Sequence, residues 1–383
     1  MFVNEDKEKM TAEEVSVGAD TRQSPITTAV IIADYNGFCN TEEEEFFIDP
    51  RKLDPRYIET VTMQGLLDTA FTPRIPIIEG LLYPGTYLIA GAPKIGKSFL
   101  VLQMGFAIAT GTPLWGMQLH QGSVLYLALE DDPARLQRRS SRMFGVEGTK
   151  NMHFATKAKS LENGLMQQLE GFIREHSDTK LIIIDTLQKV RGDDGDKYSY
   201  ANDYQIISNL KALTDANQIA VLIVHHTRKQ DAEDKFDTIS GTTGLLGAAD
   251  GAFLLRKEKR TSPEATLDVV GRDQQDLRFK LLFRYESCTF DLTETETELW
   301  KDPPDPLLEA VAALVNEDNP LWEGSPTELA MRIGCSLKPH HLSRKLNVSV
   351  SRLIAEYGVL YAPVRTHEGR KVRLYFTGGK GMP

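Results

Sequence analysis

The stretch GAPKIGKS, residues 91–98, lies directly behind the apolar run TYLIA and directly ahead of FLVLQMGFAIA. Gly91, Gly96, Lys97 and Ser98 match G-x-x-x-x-G-K-[ST], and the setting between a strand-like and a helix-like segment is the one that this motif requires. The chemistry is phosphate binding. Glycines let backbone N–H groups wrap an anion, and the helix that follows offers the same anion its positive end. Gly91, Ala92, Pro93, Lys94, Ile95, Gly96, Lys97, Ser98 and Phe99 are therefore the candidate cofactor-binding residues, with a helix starting near Ile95. A nucleoside triphosphate is the expected ligand. Lys97 would reach its β- and γ-phosphates, and the Ser98 hydroxyl would ligate Mg²⁺.

Cleaving a bound triphosphate takes further groups, which in an open α/β sheet belong at the carboxyl ends of the neighbouring strands. KLIIID ends in Asp185, placed to hold the Mg²⁺ shell through water, although a turn-forming or capping aspartate would read the same way. VLYLALE ends in Glu130, whose carboxylate would orient and deprotonate an attacking water. Beside it, Asp131 and Asp132 precede Pro133, and helix-capping chemistry accounts for them. AVLIVHHTRK ends in His225 and His226, which strand alternation sends to opposite faces, so only one of them faces the nucleotide. That one would sense the γ-phosphate; a solvated strand-tip histidine is the plainer alternative.

The elements that must position these residues can be read from the apolar pattern. TYLIAG, GSVLYLALE, NMHFAT, KLIIIDTL and IAVLIVHHT read as strands, and DPARLQRRSSRMFG, LENGLMQQLEGFIREHSD and ANDYQIISNLKALTDANQ as helices between them. Val/Ile/Leu-rich strands alternating with helices predict an α/β fold with a mostly parallel sheet covered on both faces. From Gly251 the segments GAFLLRKE, TLDVVGR, LRFKLLFRYES and CTFDLTE predict antiparallel edge strands. The acidic, proline-punctuated KDPPDP predicts a linker at 301–306. Beyond it come three helical patterns, the last over HHLSRKLNVSVSRLIAEYG, and a hairpin turning near His367-Glu368-Gly369, the outline of a winged helix-turn-helix. The expected domains are thus an acidic, largely disordered or extended segment at 1–56, the nucleotide domain at 57–300, and the small domain at 307–383.

Composition narrows the classes. The 383-residue chain is 41% hydrophobic and 26% charged, within the globular range. No apolar run is long enough to cross a membrane, and the acidic N-terminus is unlike an export signal. Cys39, Cys288 and Cys335 fit neither a disulfide framework nor a zinc spacing, so a cytoplasmic protein is expected. The net charge of −10 is unevenly spread: residues 1–50 hold twelve Asp/Glu against three Lys/Arg, and residues 330–383 hold ten Lys/Arg against two Glu. Overall acidity therefore does not exclude nucleic acid, because binding depends on a local basic face.

Together, GAPKIGKS, VLYLALED, LIIIDTLQKVRG, VLIVHHTRK and SGTTGLLGAADGAFLLRK resemble, in order and spacing, a RecA-like P-loop ATPase. More narrowly they resemble the RepA-like hexameric replicative helicases of plasmids, phages and other mobile elements, over roughly residues 73–292. The resemblance implies Glu130 as catalytic base, Asp185 as the Mg²⁺-linked acid and His226, rather than His225, as sensor. It also implies a hexameric ring of identical chains with ATP between subunits, an arginine supplied in trans, and single-stranded DNA in the channel. Arg272 in VVGRDQ is the candidate for that arginine, with Arg256 and Lys257 as runners-up. The stretch 227–247 resembles the DNA-gripping channel loop, with Arg228, Lys229 and Lys235 as contacts; RGDDGDKYSYANDY at 191–204, with its tyrosines, is the other candidate loop.

In the basic tail, Arg344, Lys345 and Arg352 fall in the predicted recognition helix, and the hairpin adds Arg365, Arg370, Lys371 and Arg373. Helix in groove and basic wing on phosphates is how such modules dock on DNA; docking on other replication proteins is the alternative. Three functions fit: an ATP-dependent DNA helicase or translocase, a helicase loader or recombination mediator that hydrolyses ATP without unwinding, and a DNA-binding regulator that uses ATP only as a conformational ligand.

Overall fold

The computed structural model describes residues 54–71, 73–191, 200–227, 235–239, 243–272, 274–297, 303–367 and 369–378. The chain divides into two compact units, 1–66 and 67–383. The short helix α1 (Met63–Asp68) begins in the first, and none of its residues is buried.

In the second unit a nine-stranded sheet is built from β1 (Gly85–Ala90), β2 (Ser123–Ala128), β3 (Met152–Ala155), β4 (Thr179–Asp185), β5 (Ala220–Val224), β6 (Gly251–Arg256), β7 (Glu264–Gly271), β8 (Leu277–Arg284) and β9 (Thr289–Thr295). Its helices are α2 (Lys97–Thr110), α3 (Pro133–Phe144), α4 (Leu165–Glu175), α5 (Leu187–Val190), α6 (Tyr200–Asn217) and α7 (Thr243–Ala248). The strand order is β3-β2-β4-β5-β1-β6-β7-β8-β9. Alternation along the strands feeds two cores. Tyr87, Ile89, Val124, Tyr126, Ile183, Leu222 and Phe253 pack under α2 on one face, together with Phe279, Phe283 and Phe290 from the later strands. Leu88, Leu125, Ile182, Ile184, Val221 and Leu254 pack on the other face, against α4, α5, α6 and α7. Both faces are covered, which is why the parallel strands carry unbroken apolar runs.

The antiparallel edge starts one strand later than the sequence predicts. β6 pairs parallel with β1 (Leu88 opposite Ala252), and direction reverses only between β6 and β7. An apolar strand buried on both faces carries the same residues whichever way its neighbour runs, so the pattern GAFLLR is silent on direction.

The C-terminal part holds α8 (Pro306–Ala312), β10 (Leu321–Gly324), α9 (Pro326–Arg332), α10 (Pro339–Val348), α11 (Val350–Tyr357), β11 (Val359–Thr366) and β12 (Gly369–Phe376). Their sheet order is β10-β12-β11, around a core of Leu308, Val311, Leu329, Leu342, Leu346, Leu353 and Leu374. Asp305 caps α8 by accepting from the Leu307 N–H at 3.0 Å, so the helix begins at Pro306, inside the predicted linker. One expectation is corrected. The single helix over HHLSRKLNVSVSRLIAEYG is two helices that meet at Ser349. Leu342, Leu346, Val350 and Leu353 keep one apolar stripe in helical register, which hides the break; the run Asn347-Val348-Ser349-Val350, weak helix formers throughout, makes it. The sequence also missed β10, whose four residues lie between two helical patterns. Among the described residues, no helix is long and apolar enough to cross a membrane.

Candidate active site

The phosphate loop fills the turn from β1 to α2, and α2 begins at Lys97, two residues later than the sequence suggested. Gly96 caps it at φ 109°, a conformation that L side chains avoid. A Cβ on Gly96 would also meet the Phe290 ring at 2.8 Å, and one on Gly91 would meet the Leu255 carbonyl oxygen at 2.5 Å. The loop is thus wedged between β6 and β9. Phe290 itself is pinned: its N–H donates to Gln103 Oε1 (2.8 Å), while its carbonyl accepts from Gln103 Nε2 (2.9 Å) and from Trp115 Nε1 (2.7 Å).

Lys97 Nζ donates to the carbonyls of Gly91 (2.7 Å) and Ala92 (3.0 Å) and lies 3.3 Å from His226 Nδ1. His226 arrives there because the chain continues alongside β1 past the end of β5. The His225 N–H donates to Ile89 O at 2.8 Å, and the Thr227 N–H to Gly91 O at 3.4 Å. His225 is buried and points away, as alternation predicts.

Asp185, the last residue of β4, is level with Ala128 of β2. Only 5% of it is exposed, and it accepts hydrogen bonds from the Ser98 hydroxyl and from Tyr126 Oη at 2.7 Å. Glu130 stands exposed in the turn after β2, its Oε1 accepting from the Thr186 hydroxyl at 3.3 Å. Asp132 caps α3 through the Arg135 N–H (2.9 Å), and Asp131 is held by Arg139 (2.6 Å) and Arg135 (3.2 Å). Those two carboxylates are structural, as their position before Pro133 suggested.

Lys97, Ser98, Glu130, Asp185, Thr186 and His226 line one cavity of about 540 Å³ at the carboxyl edge of the sheet. Larger cavities of 870 and 920 Å³ exist, one against α3 and β3 and one beside the loop at the ends of β6 to β8, but neither gathers this set of polar groups. Electrostatics in the cavity are tense. Burial brings Lys97 down to about 8, against the pull of Asp185 and Glu130. Burial raises Asp185, with the Ser98 and Tyr126 hydrogen bonds opposing it. Burial, then the charge of Lys97, lowers His226. All three shifts run toward the neutral form, the condition of a site that gains when a counter-charge arrives. The Ser98 hydroxyl and the Asp185 carboxylate are hard oxygen donors side by side, a set that suits Mg²⁺.

Sequence reasoning missed Tyr126 and Thr186. Tyr126 is the one polar side chain inside VLYLA, the signal that could have found it; Thr186 follows Asp185 directly.

The remaining predicted residues lie elsewhere. Arg272 follows β7, whose end pairs with the start of β6 (Gly271 opposite Gly251), so it sits at the edge of the sheet away from the phosphate loop. Its guanidinium donates to the Gly247 carbonyl at 2.5 Å. Arg256 is paired with Asp268 (2.5 Å), and Lys257 lies 4.6 Å from the Phe283 ring. Of the channel-loop candidates, Arg228 and Lys229 fall outside the described residues, and Lys235 is exposed at the start of a 3-10 turn, Lys235–Thr238. That stretch has more fold than a free loop, since Ile239 and Leu245 are buried in the core. In RGDDGDKYSYANDY, 192–199 lie outside the described residues, and Arg191 and Asp203 form a buried ion pair at 2.5 Å.

In the C-terminal part, most candidate bases are held by carboxylates. Arg344 binds Asp68 (2.6 Å), Lys345 binds Asp305 (2.8 Å), Arg352 binds Glu356 (2.8 Å), and Glu323 takes both Arg373 (2.7 Å) and Lys371 (3.7 Å). Arg370 is exposed, and of Arg365 only the backbone is described. Asn347 of α10 donates to the Leu67 carbonyl (3.0 Å) beside the Asp68 pair and accepts from the Tyr361 hydroxyl (2.9 Å).

Residues 52–232 match the AAA_25 family of AAA domains. Curated relatives include the DNA repair protein RadA of Streptococcus pyogenes, 26% identical over 157 residues, which are 40% of this chain and 30% of that protein. RadA of Halalkalibacterium halodurans is 27% identical over 226 residues, 58% of this chain and 42% of that one. The chain spans less than half the length of the curated relatives it matches. Among solved structures, an isolated ATPase domain is similar at a TM-score of 0.46 and 17% identity, over 55% of this chain and 85% of that one. A DnaB-like replicative helicase solved in a study of its interactions with primase is similar at 0.47 and 16%, over 55% and 59%. The residues that match the AAA_25 model carry the phosphate loop, strands β1 to β5 and the cavity's polar groups.

Proposed function

We propose that the chain hydrolyses ATP and uses it to move on DNA, as a ring of copies of the RepA-like helicase type. The observation that carries this reading is the convergence of Lys97, the Ser98–Asp185 pair, Glu130 and His226 on one cavity. An incoming triphosphate takes over the hydrogen bonds that Lys97 makes to the loop carbonyls, and its charge favours the protonated lysine. Ser98 and Asp185 would hold Mg²⁺, which supplies charge neutralisation between phosphate oxygens. Glu130 takes the proton of a water aimed at the γ-phosphate, its carboxylate oriented by the Thr186 hydroxyl. His226 reads the γ-phosphate through its contact with Lys97 and passes the state on to the segment beyond Thr227. Arg272, at the far edge of the sheet, serves a neighbour's nucleotide rather than its own. A head-to-tail ring brings opposite edges of successive copies together.

From Pro306 onward, the order helix, short strand, three helices and hairpin supports reading this part as a winged helix. The carboxylates that hold Arg344, Lys345, Arg352, Lys371 and Arg373 favour a second reading for this module, protein docking, which goes with a loader or recombination mediator. The test is ATP hydrolysis and duplex unwinding by the parent chain, Lys97→Ala and Glu130→Gln, with and without single-stranded DNA. Expected are hydrolysis stimulated by DNA, nucleotide binding lost in Lys97→Ala, and binding kept with turnover down by about 10² to 10⁴ in Glu130→Gln. Hydrolysis without unwinding selects the mediator; a parent chain that binds no ATP in the presence of Mg²⁺ refutes both.

A further inference from the structure

We infer that Tyr126 is a positioning residue for Asp185, fixing the plane in which that carboxylate would face a Mg²⁺ ion and its water shell; the inference rests on the nucleotide site proposed above. β2 and β4 run parallel with Tyr126 level with Ile183 and Ala128 level with Asp185. Alternation therefore turns Tyr126 and Asp185 to one face of the sheet, the face that α2 covers and at which Ser98 arrives. The phenol O–H donates to Asp185 Oδ2 at 2.7 Å. Tyr126 is fully buried, with the Phe154 ring 5.9 Å away on the neighbouring strand, so it has no freedom to swing aside.

A carboxylate on a short side chain turns about its last bond, a broad and weakly hindered rotation. In Asp185 that rotation is arrested, because Oδ2 is tied back to a ring that is itself locked in the sheet. The plane of the group is thereby set toward the Ser98 hydroxyl. Ligands held in place by a supporting hydrogen bond are worth typically about ten- to a hundredfold in metal affinity. A buried tyrosine also needs some acceptor for its hydroxyl, and that need alone would place a polar partner here without any effect on the ion. The two roles differ in what they do to Mg²⁺.

The experiment compares binding of a fluorescent non-hydrolysable ATP analogue in Mg²⁺ and in EDTA, for the parent chain and for Tyr126→Phe, which removes only the oxygen. The expected result is affinity in EDTA within about twofold of the parent and a gain from Mg²⁺ reduced about tenfold. Thermal melting without nucleotide checks the fold, and in an Asp185→Asn background Tyr126→Phe should change the Mg²⁺ gain no further. An undiminished Mg²⁺ gain in Tyr126→Phe overturns the inference, as does an equal loss in EDTA and in Mg²⁺, the mark of a purely structural role. A parent chain that binds the analogue equally well in both buffers also overturns the inference, whereas one that binds it in neither overturns the nucleotide-site reading itself.

Discussion

Replacing Gly96 by alanine tests the packing behind the phosphate loop. Two costs add. At φ 109° an L residue is outside the favourable left-handed well, a strain of about 1 to 3 kcal/mol. The new methyl group would stand 2.8 Å from Cζ and 3.2 Å from Cε2 of Phe290, which cannot retreat because Gln103 and Trp115 hold its backbone. Overpacking of this kind costs roughly 1 to 3 kcal/mol. Gly96→Ala is therefore expected to lose about 2 to 6 kcal/mol, as lower stability in urea or, where the loop shifts instead, as ATP affinity weakened about tenfold or more. Phe290→Leu separates the parts. In that background the steric share of the Gly96→Ala cost should disappear and the conformational share, about 1 to 3 kcal/mol, should stay. A Gly96→Ala chain within about 0.5 kcal/mol of the parent in urea, with unchanged ATP affinity, would refute the account.

Lys97 should leave its mark on the pH dependence of stability. Its folded value, about 8, is below the 10.5 of the unfolded chain, so between those values the unfolded state binds more protons and stability rises with pH. The rise should be on the order of 3 kcal/mol and absent in Lys97→Met, and a parent–variant difference that is flat from about pH 7 to 10 in urea melts would contradict it. Asp68→Asn should release Arg344 from its ion pair and steepen the salt dependence of DNA binding by about one unit of log–log slope. An unchanged slope in anisotropy titrations would exclude Arg344 as a DNA contact. Ser325 and Glu328 cap α9 reciprocally, so Ser325→Ala should destabilise the C-terminal part by about 1 kcal/mol, and chemical denaturation would show whether it does.

The sheet and the phosphate loop were legible because their signals are local. GAPKIGKS declares itself, and runs such as KLIIID need only burial on both faces to be strands. What escaped depends on partners far away in the chain. The direction of β6 is set by β1, and the break at Ser349 is masked by a stripe that stays in register across it. Tyr126 and Asp185 are 59 residues apart, and no spacing rule links them. The same holds for the basic tail. Its surplus of charge is plain in the sequence, whereas the commitment of Arg344 to Asp68, 276 residues earlier, is visible only in three dimensions.

That last contact also bears on how the molecule comes apart. The C-terminal helices are attached to the rest by the peptide chain after β9 and, separately, by the grip of α10 on Leu67 and Asp68, which lie upstream of β1. A protease cut between the two parts would leave that grip holding the fragments without a covalent link, and its ionic half would weaken as ionic strength is raised.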